Sequence, residues 1–232
     1  MKKFITLFSA AFVLLVATTS CEILEGGGSK DAVDLGLSVK WATCNLGATS
    51  PEQSGGFYSW GETTPKTSNF GSMEGYKYVK SQKSSYGDYY LVYDKYYPDT
   101  DKIKLDPEDD AARVKLGGKW RMPTMAEFQE LIDNCTWTLS SRGGVDGFEV
   151  KSKVNGNSIF LPFTGMYGPA GGTINPDGAT LSYQDHGFMW VSDMGGSITS
   201  YQNWTGYYMK GKPGGWWGVR REQGATIRPV SD

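Results

Sequence analysis

Few residue types in this chain of 232 residues suit covalent chemistry, and their spacing is poor for it. The single histidine, His186, lies in a loop-like Tyr-Gln-Asp-His-Gly run. A serine or cysteine nucleophile would want such a base beside it. This setting reads instead as a turn or surface residue. Three cysteines (Cys21, Cys44 and Cys135) and one histidine form no ligand-spaced zinc set. Carboxylates crowd at Asp106, Glu108, Asp109 and Asp110. Oxygen ligands of this kind suit Ca²⁺, but the spacing matches no calcium loop, and acids at a helix start account for all four. No metal, no cofactor and no catalytic residue is expected.

A second set of residues suits recognition without turnover. Trp190, Ser192, Asp193, Tyr201, Asn203, Trp204, Tyr207, Tyr208, Trp216 and Trp217 fall in one stretch interleaved with Gly and Ser. Aromatic rings give large contact area at low entropic cost, while Ser, Asn and Gly adapt their hydrogen bonds. Such a mixture serves glycan or protein. In a strand, alternate positions face opposite ways, so part of this set must be core. Trp190, Trp204 and one of Trp216 and Trp217 are assigned to packing. The binding candidates are Asp193, Tyr201, Asn203, Tyr207, Trp216 and Arg220, with fold-stabilising packing as the competing role for each. The Tyr-rich stretch 76–97 is a second candidate patch, and the residues do not choose between the two.

In the segments that carry these residues, 31 glycines, 14% aromatic residues and eight tryptophans across the chain suggest many short strands and turns. Formal net charge is −2, so no basic stripe points to nucleic acid. At the front, Lys2 and Lys3 precede an apolar run over 4–17 and small residues 18–20 before Cys21. The run is short of the roughly 20 residues of a membrane span. It reads as a lipoprotein signal (1–20), with Cys21 lipidated and 21–31 a flexible tether. An ordinary secretory signal with an incidental Cys is the alternative. The chain is therefore expected on the outer membrane, at the cell surface rather than the periplasmic face, as a monomer. Residues 32–232 are expected to form one domain.

Alternation over 33–43 predicts a half-buried strand, and 55–60 another. Residues 64–105, rich in Tyr, Ser, Lys and Gly, read as a long surface excursion. Asp106-Pro107 predicts an N-cap and first helical residue, the helix running to about Leu116 before Gly117-Gly118. A second helix starts at Thr124, with Glu127 completing a capping box. Phe128, Leu131, Ile132 and Cys135 then share one apolar face. Short strands are expected at 147–152, 157–163, 187–192, 204–209, 215–220 and 225–230. The fold class is α+β. In an exported chain, Cys44 and Cys135 are expected to bridge, closing a loop of about 90 residues worth on the order of 4 kcal/mol. Two buried free thiols are the alternative.

Several strings in order resemble the Fibrobacter succinogenes major paralogous domain family of Bacteroidota lipoproteins. They are V-D-L-G-L-S-V-K-W-A-T-C-N-L-G-A (33–48), G-G-F-Y-S-W-G-E-T (55–63), D-D-A-A (109–112), G-G-K-W-R-M-P-T-M-A-E-F (117–128), N-C-T-W (134–137), N-G-N-S-I-F-L-P (155–162) and I-R-P-V (227–230). The resemblance implies a C-type-lectin-like fold related to formylglycine-generating enzymes. It also implies two helices flanking short twisted antiparallel sheets, with the terminal strands (near 33–41 and 225–230) paired. Ligand-facing loops would lie in the C-terminal half. The catalytic relatives need a thiol pair in that half, and no Cys follows Cys135. The expected role is thus non-enzymatic binding of a glycan or surface protein. A target of a diversity-generating retroelement, a fibre-tip adhesin and a periplasmic-facing structural lipoprotein are the other readings.

Overall fold

The computed structural model describes residues 31–68, 70–96, 104–168, 181–194 and 202–232, with 202–204 by backbone only. The signal, Cys21 and most of the tether lie outside the described residues. The described chain is α+β, and its named strand pairs are all antiparallel.

The ends of the domain meet in one sheet. Strand β1 (Ala32–Val33) pairs with β2 (Lys40–Ala42), which pairs with the C-terminal strand β14 (Val230–Ser231), with Val230 opposite Trp41. Strand β5 (Trp120–Arg121) closes the far side of β14. Arg228, just before β14, is fully buried and locks this closure. Its guanidinium donates to Asn45 Oδ1 (2.8 Å), to the carbonyls of Ala42 (3.0 Å) and Thr43 (2.8 Å), and to that of Phe160 (2.9 Å).

Helix α1 (Ala111–Leu116) is capped by Asp110, not by Asp106 as the Asp-Pro signal suggested. Asp110 accepts from the N–H groups of Ala112 and Arg113 and, through its other oxygen, from Met122 N–H at 2.8 Å. One carboxylate thereby ties the helix start to the segment after β5, which Asp106 is too far upstream to do. Residues Pro107–Asp109 form a separate 3-10 turn. The helix ends at Gly117, whose φ of +68° suits glycine. Helix α2 (Met125–Asn134) starts on the expected capping box of Thr124 and Glu127. It buries Phe128 and Leu131. The chain leaves the helix at Asn134, so Cys135 opens strand β6 (Cys135–Arg142) instead of occupying a last helical turn.

Strand β6 pairs with β7 (Val145–Ser152), and β7 with β8 (Ser158–Pro162). A short ladder of β9 (Met166–Tyr167) and β10 (Leu181–Ser182) leads into a three-stranded sheet of β11 (His186–Trp190), β12 (Gln202–Met209) and β13 (Lys212–Arg220). This sheet divides the apolar interior in two. Phe188, Trp190, Tyr207 and Val219 face one cluster, with Trp60 and the α1 alanines. Met189, Val191 and Tyr208 face the other, with Trp41, Phe128 and Leu131. Alternating strand positions thus supply both cores. Gly206 lets α2 approach: a Cβ there would lie 2.7 Å from the Phe128 ring.

The structure departs from two expectations. Cys135 is a free thiol, 3% exposed, so the expected bridge to Cys44 is not formed. The α2 exit packs its sulfur into the second cluster beside Leu131 and Val150, and burial pushes the thiol up to about 11. The excursion 64–105 is not wholly a surface feature either. Its strands β3 (Val79–Lys83) and β4 (Tyr89–Tyr93) form a hairpin whose base is core, with Tyr76, Tyr78, Tyr93 and Tyr96 buried in the first cluster. Each hydroxyl finds an acceptor: Trp60 O (2.6 Å), Gly61 O (2.9 Å), Glu222 Oε2 (2.7 Å) and Asp109 Oδ2 (2.6 Å) respectively. Tyrosine can therefore replace aliphatic residues in a core once its tip is paired.

Candidate functional site

Three turns converge on one groove of about 430 Å³. The β6–β7 turn contributes Gly144, Val145 and Asp146, the turn before β11 contributes Gln184 and Asp185, and the β12–β13 turn contributes Lys210. Phe163, 9% exposed, completes the lining. Gly143 (φ +56°), Gly144 (φ +82°) and Gly211 (φ +82°) adopt the left-handed backbone that makes two of these turns tight. The main chain under the groove is pinned, because Phe163 N–H donates to Asp146 O at 2.8 Å. The side chains of Asp146, Gln184 and Lys210 make no hydrogen bond or ion pair to another described residue.

An aromatic band runs from the groove along the sheet. Asp185 Oδ1 lies 2.5 Å from His186 Nδ1. The His186 ring is 5.5 Å from that of Tyr207, and Tyr207 is 5.3 Å from Trp217. Lys212 Nζ sits over the Tyr207 ring at 5.6 Å. Tyr207 is buried, whereas Trp217 is 45% exposed and ends the band in solvent. A ring so displayed offers a stacking face to solvent.

Of the residues expected to bind, Asn203, Tyr207, Trp216 and Arg220 lie in this sheet, and most of the described side chains of the set are engaged in the fold. Asp193 accepts from Met125 N–H at 2.6 Å, where a carboxylate complements the α2 N-terminus. The Tyr207 hydroxyl donates to Met209 Sδ. Trp216 packs edge-on to Phe128 at 5.3 Å and donates to Gln129 Oε1 at 3.2 Å. Of the Trp216–Trp217 pair, the exposed member is therefore Trp217, because the strand register turns Trp216 toward α2. Arg220 pairs with the buried carboxylate of Glu222 at 2.6 Å. Asn203 is opposite Val219 in β12, its side chain not among those described, and Tyr201 lies outside the described residues. Asp146, Gln184, Asp185 and Lys210 were missed. The glycine turns beside Asp146 and Lys210 were visible, but nothing local says that the tips of three turns meet.

The acidic set Asp106, Glu108 and Asp109 does gather within 4.8 Å, yet a lysine already sits in it. Lys95 Nζ is 2.7 Å from Asp106, 2.5 Å from Asp109 and 3.9 Å from Glu108. Burial works to raise the Asp109 carboxyl, but hydrogen bonds from Lys95, Tyr96 and Lys77 override it and hold it well below the usual carboxylate range. The ammonium supplies the positive charge that a cation would bring. The tip of the β3–β4 hairpin, by contrast, is open, with Tyr86 93% and Tyr89 71% exposed.

Comparison of the chain with protein-family models, with curated proteins and with solved structures finds no match.

Proposed function

We propose that this protein is a lipid-anchored cell-envelope binding protein, built on a C-type-lectin-like domain of the Fibrobacter succinogenes major paralogous type, that grips a glycan without transforming it. The observation that carries this reading is the groove lined by Asp146, Gln184 and Lys210, whose side chains have no partner among the described residues, together with the solvent-facing ring of Trp217 on the same three-stranded sheet. Sugars are held by this pairing of directional hydrogen bonds with an aromatic face. The closure of the first and last strands supports the lectin-like reading, as does the irregular C-terminal half that carries the groove. Binding without turnover is supported by the state of the reactive groups. The Cys135 thiol is buried and raised to about 11, so it is not a thiolate at neutral pH. His186 engages Asp185, and no hydroxyl or thiol of a described residue bonds it.

A combined glycan and cell-surface-protein array tests the proposal. The expected result is retention on glycans that is weakened by Trp217→Ala and leaves the eluted glycan unchanged in mass. Retention on proteins alone, or chemical alteration of the glycan, would refute it.

A further inference from the structure

The sheet of β6, β7 and β8 leaves β6 at one edge. Hydrogen bonding on the far side of β7 fixes which main-chain groups of that edge are free. Phe163 N–H donates to Asp146 O and Ser152 N–H to Asn157 O, both at 2.8 Å, so the even-numbered residues of β7 turn their polar main chain away from β6. Its odd-numbered residues Val145, Gly147, Glu149 and Lys151 therefore bond Arg142, Ser140, Thr138 and Thr136, which stand opposite them. Trp137, Leu139 and Ser141 are left with N–H and C=O groups directed outward. None of these groups bonds another described residue.

Such an edge is a template for another strand, and folded chains blunt theirs with charge, proline, shortness or cover. Other edges of this fold follow that rule. Strands β1 and β5 have two residues each, β3 carries Lys80 and Lys83, and β13 carries Lys212 and Pro213. Strand β8 ends on Pro162, and Arg228 holds its Phe160 carbonyl. In β11, Trp190 N–H donates to Thr226 O at 2.9 Å. Strand β4, also uncharged, has five residues. Strand β6 has eight, in unbroken register with β7 and with no charge before Arg142. Its Leu139 is 45% exposed, and Thr136, Thr138 and Ser141 are exposed beside it.

We infer that β6 pairs antiparallel with β6 of a second copy across a two-fold axis at Leu139, in place of the monomer expected from the residues. Cys135 is the cap residue of α2, so the outward set is Trp137, Leu139 and Ser141, centred on Leu139. That register sets Leu139 against its own counterpart and Trp137 against the partner's Ser141. On the other face it sets Thr138 against the partner's Ser140 and Arg142 against the partner's Thr136. Each outward N–H then meets a C=O, two exposed leucines cover one another, and no like charges are opposed. This is the self-complementarity that a two-fold interface requires. The two sheets join into one, ordered β8-β7-β6-β6-β7-β8.

Sedimentation equilibrium of the full chain in density-matched detergent, with micelles in excess, tests this. The parent should follow a monomer–dimer equilibrium. Leu139→Lys sets two ammonium groups face to face and should raise the dissociation constant about tenfold or more, as should Leu139→Glu with two carboxylates. An equimolar mixture of these two variants should pair more tightly than either alone, because Lys then faces Glu. Ser141→Pro removes an outward N–H and no bond to β7, so it too should weaken the dimer without unfolding the monomer. A monomeric parent, a dimer indifferent to both charges or to Ser141→Pro, or a mixture no better paired than its components overturns the inference.

Discussion

Arg228 offers a test of how the ends of this chain are held. It is 0% exposed, and its hydrogen bonds run to three main-chain carbonyls and one amide oxygen, none of them a carboxylate. Burial accordingly lowers its pKa to about 10, a sign that the charge is poorly compensated. Arg228→Met keeps most of the volume and removes the charge. Hydrogen bonds to a charged donor are worth about 1.5–3 kcal/mol each, so four of them hold about 6–12 kcal/mol. Against this stands a desolvation penalty of several kcal/mol for the buried ion, which the variant relieves. The net expectation is a loss of about 3–5 kcal/mol, the scale of removing one partner from a buried polar network. Arg228→Lys should lose a similar amount, because one ammonium does not span Asn45 and Phe160 together. Urea unfolding at neutral pH, followed by the fluorescence of buried Trp41, Trp60 and Trp190, reads the change. Arg142→Ala, which breaks an exposed pair with Glu149, is the control and should cost less than about 1 kcal/mol. If Arg228→Met unfolds within about 1 kcal/mol of the parent with an unchanged slope, the guanidinium is not what holds the ends together.

Two further outcomes follow from the buried ionisable groups. Asp109 has a folded-state pKa below its unfolded value of about 3.9, so its stabilisation is present above that pH and disappears as pH falls through the folded value. Asp109→Asn should therefore be less stable than the parent at neutral pH, and the gap should narrow as urea titrations are taken below about pH 4; a constant gap would show that the carboxylate's charge is not the source. Alkylation without reductant should leave Cys135 unmodified in the native protein and label it once unfolded, read by peptide mapping, whereas a Cys135 that resists labelling in the unfolded state would mean that it is bridged after all.

Much of the local structure was legible in the residues themselves. The Thr124–Glu127 capping box, the glycine stop at Gly117 and the strands near 147–152, 158–162 and 204–209 depend on contacts within a few residues, which pattern and propensity report directly. The wide apolar face of α2 likewise required no knowledge of its partner. Where a residue had two adequate local explanations, only the tertiary structure chose. Asp106 and Asp110 both suit a helix start, and the Met122 N–H twelve residues away selects Asp110. Trp216 and Trp217 are equivalent by composition, and the position of α2 behind β13 turns Trp216 inward and leaves Trp217 in solvent. Tyr93 and Tyr96 sit in a stretch rich in Ser, Lys and Gly that reads as surface; acceptors at Glu222 and Asp109, distant in sequence, make them core. The groove belongs wholly to this second kind of information. Its lining comes from three turns separated by 20 or more residues, and no periodicity along the chain encodes the angle at which hairpins meet. Short-range hydrogen bonding and apolar spacing thus determined the elements, while long-range packing around a sheet with two buried faces decided which side chains were left facing solvent.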